Sequence, residues 1–89
     1  MGLRRTSDIG TNTRFMIEKM NEVGIGKIVK FVKETYPRQD VHNCIAIIRL
    51  AAKYGYVGTA CKINTSKQYV EQVVKKYYGY ALEVENNVQ

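Results

Sequence analysis

The sequence predicts an all-α fold, a small bundle of about five helices that ends in either a short strand or a tail. Apolar residues recur at i, i+3, i+4 and i+7 in successive windows of the chain. Glycines and the single proline fall between these windows. The 89 residues suit one domain, and no repeat or linker divides them. We therefore predict a flexible basic arm at 1–10, a helical domain at 11–79 and a strand or tail at 80–89.

The arm is polar and glycine-punctuated. Its Arg4 and Arg5 are candidate contacts to a phosphate backbone or a minor groove, as in the N-terminal arms of some DNA-binding domains. A frayed terminus is the simpler interpretation.

A first helix is predicted to begin at a cap on Thr11 or Thr13 and to run to about Val23. Gly24 and Gly26 then break it. The residues that form its predicted apolar side are Phe15, Met16, Met20 and Val23.

A second helix is predicted from about Ile25 to Tyr36, since the residue before Pro37 is pushed out of the helical region. Lysines lie opposite its apolar stripe, and a basic amphipathic helix can rest on an anionic membrane. In a short globular chain such a stripe more often faces the core. We therefore predict a solvated lysine face and no membrane partner.

The third predicted helix is the most hydrophobic. A cap on Gln39 or Asp40 begins it, and it runs to about Lys53 or Tyr54, before Gly55. Apolar residues surround most of it: Val41, Cys44, Ile45, Ile47, Ile48, Leu50, Ala51 and Ala52. A helix that is apolar on nearly every side is expected at the centre of its domain.

The stretch Tyr56–Tyr78 is predicted to form two short helices joined by a tight polar turn at Asn64 and Thr65. The Ser66 hydroxyl can accept a hydrogen bond from a first-turn N–H of the second helix, and Gly79 is predicted to end that helix. The apolar stripe of the second helix is Val70, Val73, Val74 and Tyr77.

Beyond Gly79 the pattern changes period. Tyr80, Leu82 and Val84 alternate with other residues, which is typical of a half-buried strand. A single strand needs a partner, and the same strand of a second subunit could supply it. The alternative is a helix tail, with residues 86–89 disordered in either case.

The net charge of +6 favours a negatively charged partner, whether nucleic acid, anionic membrane or acidic protein. The excess is densest between Val41 and Tyr80, where Glu71 is the only acidic residue. The basic residues of that range are Arg49, Lys53, Lys62, Lys67, Lys75 and Lys76.

The stretch Tyr56–Tyr78 resembles the helix-turn-helix of small DNA-binding regulators. Ala60 matches the small residue that lets the two helices of that family pack closely, and Ile63 matches the apolar residue that ends its first helix. Val70 and Val73 match the two positions that dock the second helix onto the domain. A two-helix corner that only packs a core is the alternative interpretation.

Three residues depart from the family pattern. Thr59 stands where an aliphatic residue is usual. Asn64 and Thr65 replace a glycine and an aliphatic residue in the turn. Asn tolerates a left-handed backbone better than most residues, so its presence is physically reasonable.

The resemblance implies a sequence-specific double-stranded DNA-binding protein, a small transcriptional regulator that acts as a homodimer on half-sites about 34 Å apart. Within the predicted base-reading set, Gln68 and Gln72 have the donor and acceptor geometry to read adenine. The full base-reading set is Lys67, Gln68, Glu71 and Gln72. The predicted phosphate contacts are Lys62, Thr65, Ser66, Lys75 and Lys76.

No catalytic constellation, metal-ligand spacing or phosphate loop is visible, so we predict that the protein is not an enzyme and uses no cofactor. Cys44 and Cys61 are predicted to be buried core residues, and their pairing is left open. No secretory segment follows Met1, which predicts a cytoplasmic protein.

The competing hypothesis is a protein–protein adaptor or inhibitor of the phage or plasmid type. Such a protein would bind an acidic or nucleic-acid-binding surface of a protein partner. This hypothesis predicts that Lys67, Gln68 and Gln72 can be substituted with little effect on binding to the partner, whereas substitutions in the tyrosine-rich end weaken it. The tyrosines concerned are Tyr69, Tyr77, Tyr78 and Tyr80, for which packing is favoured over stacking on unpaired bases.

Overall fold

The all-α class is confirmed by the computed structural model, which describes residues 11–87. Four helices and no strand occur within that range. The four are α1 (Thr11–Val23), α2 (Ile25–Thr35), α3 (Val41–Ile63) and α4 (Lys67–Asn87).

The structure has four helices where about five were predicted, because the predicted third and fourth helices are joined at Gly55 as the single kinked helix α3. Gly55 lies inside α3 with φ 79° and ψ 177°, a combination that is open essentially to glycine alone. Residues 41–54 and 56–63 are therefore two helical segments that meet at Gly55.

The predicted end of the last helix at Gly79 is also wrong, and so is the C-terminal strand. Helix α4 continues through Gly79 to Asn87. Tyr77, Ala81 and Val84 are all buried and follow one another at i, i+4 and i+7, so the apolar stripe extends beyond the glycine. Burial of this stripe stabilises the helix over the predicted strand. Residue 86, which was predicted to be disordered, is helical as well.

Helices α1 and α2 are connected by a single residue, Gly24. Gly24 has φ 113°, its N–H donates to the Met20 carbonyl at 2.9 Å, and its own carbonyl accepts from the Ile28 N–H at 3.1 Å. It thus ends one helix and begins the next, as predicted, whereas Gly26 lies within α2. Helix α1 begins at Thr11, so Thr13 does not cap it, as one of the two predicted alternatives had it. Thr13 is instead a buried residue inside the helix.

Helix α4 is the centre of the domain, since each of the other three helices packs more extensively against α4 than against any other helix. Helix α3 was predicted to be central, but Ala46 and Ala52 on it are exposed. The fully buried side chains of largest volume are Tyr77, Met20, Ile28, Ile48, Val32, Val70, Val74 and Thr59.

Two residues predicted to be in the core lie at the surface. Phe15 is 58% exposed, and Ile17 occupies the buried side of α1 next to Met16. Cys61 is exposed and Cys44 is half-buried, and both are free thiols. The prediction of two buried cysteines is therefore wrong for Cys61.

An aromatic cluster joins the end of α2 to α4. The Tyr36 ring stacks on Tyr80 with centroids 5.0 Å apart, and Phe31 lies 6.0 Å from the same ring. The Tyr77 hydroxyl donates to Gln39 Oε1 at 3.1 Å. Burial raises the pKa of Tyr77 above the usual tyrosine range, so its phenol stays protonated and keeps this hydrogen bond.

Candidate nucleic-acid interface

The candidate interface is built on the second segment of α3 and the first half of α4. The turn between them contains Asn64, whose φ of 58° and ψ of 54° are left-handed. The Thr65 N–H donates to the Ala60 carbonyl at 2.9 Å and closes the turn. Asn supports this conformation at low cost, which explains why no glycine is needed there.

The start of α4 is fixed by Ser66. Its Oγ accepts a hydrogen bond from the Tyr69 N–H at 3.1 Å, which confirms the predicted cap. Behind this turn Val70 is fully buried, Val73 and Ala60 are nearly so, and Ile63 is half-buried. The inner sides of the two segments are therefore packed together, and the opposite side of α4 is left to solvent.

Thr59 lies at the centre of this packing, with no exposed surface and no hydrogen-bond partner for its hydroxyl among residues 11–87. A helical threonine often bonds the carbonyl four residues earlier. Here that carbonyl belongs to Gly55, which departs from helical geometry. One of the three residues that depart from the helix-turn-helix pattern thus carries an unsatisfied buried oxygen.

We expect Thr59→Val to raise the free energy of unfolding by about 1 kcal/mol, because valine keeps the shape and removes a buried hydroxyl without a hydrogen bond. Urea unfolding would measure it. Thr35→Val, at an exposed position in the last turn of α2, is the control and should change little. A loss of stability in Thr59→Val would show that the hydroxyl has a partner in solution.

The predicted base-reading residues fall into two groups. Lys67, Gln68 and Gln72 are exposed on the outer side of α4. Glu71 is half-buried, and one of its oxygens lies 2.8 Å from the ammonium of Lys75. This hydrogen bond holds the pKa of the Glu71 carboxyl below its usual range and raises that of Lys75.

The predicted phosphate contacts are all exposed, but they are not equivalent. Lys76 forms no ion pair with any of residues 11–87, whereas Lys75 is engaged by Glu71. Thr65 and Ser66 lie at the N-terminal end of α4, where free N–H groups favour anions. The two arm residues of the prediction, Arg4 and Arg5, lie outside the described part of the chain.

Lys62, also a predicted phosphate contact, lies over an aromatic ring that sequence reasoning missed. Its Nζ is 4.4 Å from the centroid of Tyr54, and the Nζ of Lys53 is 5.4 Å from the same centroid. A Cβ on Gly58 would come within 2.9 Å of the Tyr54 Cβ, so glycine is what lets Tyr54 lie there. The spacing i, i+4, i+8 from Tyr54 to Lys62 is the signal that could have revealed the contact.

Tyr69 was predicted to pack at the rim of a core or interface, and 42% of it is exposed on the first turn of α4. It lies beside Gln68 and Gln72 in the segment predicted to read bases. The sequence could have indicated this exposure, because Tyr69 comes one residue before Val70, where the apolar stripe of α4 begins.

Residues 11–87 contain no helix that is long and apolar enough to cross a membrane. Within the same range, no three His, Cys, Asp or Glu side chains are grouped so that they could hold a metal ion. No protein-family model matches this chain, and comparisons with curated proteins and with solved structures found no match.

Proposed function

We propose that this protein binds double-stranded DNA sequence-specifically, as a small transcriptional regulator. The observation that supports this most is the outer side of the first half of α4. There Lys67, Gln68 and Gln72 are all exposed, directly after a tight turn. A helix presented in this way, with its first turns free, can enter the major groove.

In this proposal the inner and outer sides of α4 have separate roles. Val70 and Val73 fix the helix to the domain, and the two glutamines offer both a donor and an acceptor to base edges. Lys76 and Lys62 neutralise phosphates and set the register of the protein on the duplex.

One helix reads few base pairs, so specificity against a genome favours a homodimer on a two-fold symmetric site. The half-sites would lie about one turn of DNA apart, roughly 34 Å. Selection of bound sequences from a random pool tests this directly. An enriched palindrome supports the dimer, and enrichment of a single short site argues for a monomer.

Readout and phosphate contact are separated by two substitutions. Gln68→Ala should lose about 1–3 kcal/mol of discrimination at one base pair, because its base edge is left unread. Lys76→Ala should weaken binding to every sequence alike and reduce the slope of log K against log salt by about 0.9. Lys76 is a cleaner probe than Lys75, whose removal would also release Glu71.

Binding to specific and random duplexes across a salt series measures both effects. If Gln68→Ala and Lys76→Ala behave identically on the two duplexes, Gln68 does not read bases. If the unaltered protein binds no duplex at low salt, DNA is not its target at all.

Val57 favours the adaptor as the second candidate function, since 61% of it is exposed on α3. Tyr54 and Cys61 are exposed on the same segment or at its edge. The tyrosine-rich end is a weaker docking surface, because Tyr77 is buried and Tyr80 lies in the aromatic cluster. A protein partner whose binding is lost in Val57→Asp and kept in Gln68→Ala would support the adaptor.

A further inference from the structure

We propose that the DNA-binding surface continues from α4 onto a second group of cations, which contacts phosphates outside the major groove. This group, the α2 ridge, consists of Lys30, Lys33 and Arg38. The inference rests on the proposed function and names a further part of the same surface.

The α2 ridge is an exposed group of cations. Its one carboxylate neighbour on α2 is Glu34, which is also exposed and forms no ion pair with Lys30 or Lys33, so the ridge keeps a net positive charge. Ion pairs within residues 11–87 involve Lys19 and Lys75, and no member of the ridge. Lys30 and Lys33 stand three residues apart on one side of α2, a spacing at which like charges repel. Lys27 is not included, because it lines a cleft together with the carboxylates of Glu22 and Glu85.

The loop after α2 fixes Arg38 beside α4. Tyr36 stacks on the ring of Tyr80, and the Gln39 side chain bonds the hydroxyls of both Tyr77 and Tyr80. Arg38 is exposed between these two attached residues. Its backbone is therefore held against α4, and its guanidinium forms no ion pair with any carboxylate of residues 11–87.

Lys76 connects the α2 ridge to the candidate interface. It precedes Tyr80 by four residues, so the two side chains lie on the same side of α4. Because Tyr80 contacts Phe31 and Tyr36, that side is the one that faces α2. Cations thus follow one another from Lys76 to the loop and along α2, which suits a polyanion longer than one groove contact.

The burial of α2 favours DNA over a lipid surface. An amphipathic helix binds a membrane by inserting its apolar side. Here Ile28 and Val32 are fully buried in the core, and Ile25, Val29 and Phe31 are packed against it. Only the charged side of α2 is available, and phosphate contacts need no more than that.

The test is a salt series with Lys30→Gln/Lys33→Gln and a matched control, Arg14→Gln/Arg49→Gln. The control removes two exposed cations on α1 and α3. Arg14 lines a cleft together with Ala52 of α3, and Arg49 precedes Ala52 by three residues on the same helix. Binding to a duplex longer than the selected site is measured for both variants and for the unaltered protein. The selected sequence is determined for each.

We expect the ridge variant to lower the salt slope by about 1.8, which is 0.9 for each phosphate that the protein no longer neutralises. The preferred sequence should stay the same, because phosphate contacts do not specify bases. The control should keep the slope of the unaltered protein. Equal slopes in all three proteins, or an equal decrease in both variants, would overturn the ridge while the proposed function stands.

Binding to vesicles with and without anionic lipid distinguishes DNA from a membrane as the partner of the α2 ridge. Binding to anionic vesicles that is abolished in the ridge variant, combined with an unchanged DNA slope, would assign the ridge to a membrane and overturn the proposal. Failure of the unaltered protein to bind duplex DNA would instead reject the proposed function.

Discussion

Gly55→Ala is expected to lower the free energy of unfolding by about 2 kcal/mol, because a Cβ is poorly tolerated at its φ of 79° and ψ of 177°. In a domain of this size such a loss lowers the melting temperature by about 10 °C. The alternative open to the chain is to straighten α3, which would change the angle between residues 41–54 and 56–63. Thermal and urea unfolding measure the loss.

Gly79→Ala is the matched control. Gly79 is helical, and a Cβ built on it meets nothing within 4 Å. Alanine should therefore stabilise α4 by about 0.5–1 kcal/mol. The two substitutions are chemically identical and should have opposite signs. Equal effects would mean that the kink at Gly55 is not a fixed feature of the domain.

The kink also connects stability with the proposed function. It separates the part of α3 that begins at Val41 from the part that carries Ala60 and Lys62. Since the second part packs against the start of α4, the direction of α3 after Gly55 sets how α4 is presented. A Gly55→Ala protein that remains folded is therefore expected to bind DNA more weakly.

Local signals in the sequence were sufficient to predict much of the fold. The end of α1, the helix break at Gly24 and the caps at Asp40 and Ser66 depend on a few neighbouring residues. The Asp40 cap is seen in the Asn43 N–H, which donates to its Oδ1 at 3.3 Å. Such interactions can be predicted without knowing what packs against the helix.

The wrong predictions concern features that depend on tertiary packing rather than on local sequence. Gly79 has the appearance of a helix stop, but burial of Ala81 and Val84 against the other helices keeps the chain helical. Phe15 suits a core by its chemistry, yet it lies outside on α1, 6.1 Å from the ring of Tyr78. Neither outcome can be read from a window of one helix.

In the candidate site, too, local sequence predicted the helical positions but not the tertiary contacts. Helical periodicity placed Gln68 and Gln72 on the exposed side of α4, where the structure has them. Periodicity did not predict the contacts that the charged residues make within the protein. Glu71 is held by Lys75, and Lys62 lies on the ring of Tyr54. The second of these contacts depends on the path of the chain through Gly55 and past Gly58.

Tyr77→Ala is expected to cost about 3–5 kcal/mol, the usual loss for a large aromatic residue removed from a core. Tyr77 is the largest of the fully buried side chains, and it lies on α4, the helix against which each of the others packs most extensively. A domain of this length has roughly 5–13 kcal/mol of stability in total. The variant should therefore lose between about a quarter and all of its stability, and circular dichroism during urea titration would measure the loss.

Two further variants identify the source of that loss. Tyr77→Phe keeps the ring and removes only the hydroxyl that donates to Gln39, so about 1 kcal/mol should be lost. Tyr69→Ala removes a partly exposed ring from the same helix and should cost much less than Tyr77→Ala. If Tyr69→Ala and Tyr77→Ala cost the same, the ring of Tyr77 is not the centre of the core. If Tyr77→Phe costs as much as Tyr77→Ala, the hydrogen bond to Gln39 outweighs the packing of the ring, and the loop that presents Arg38 would depend on it directly.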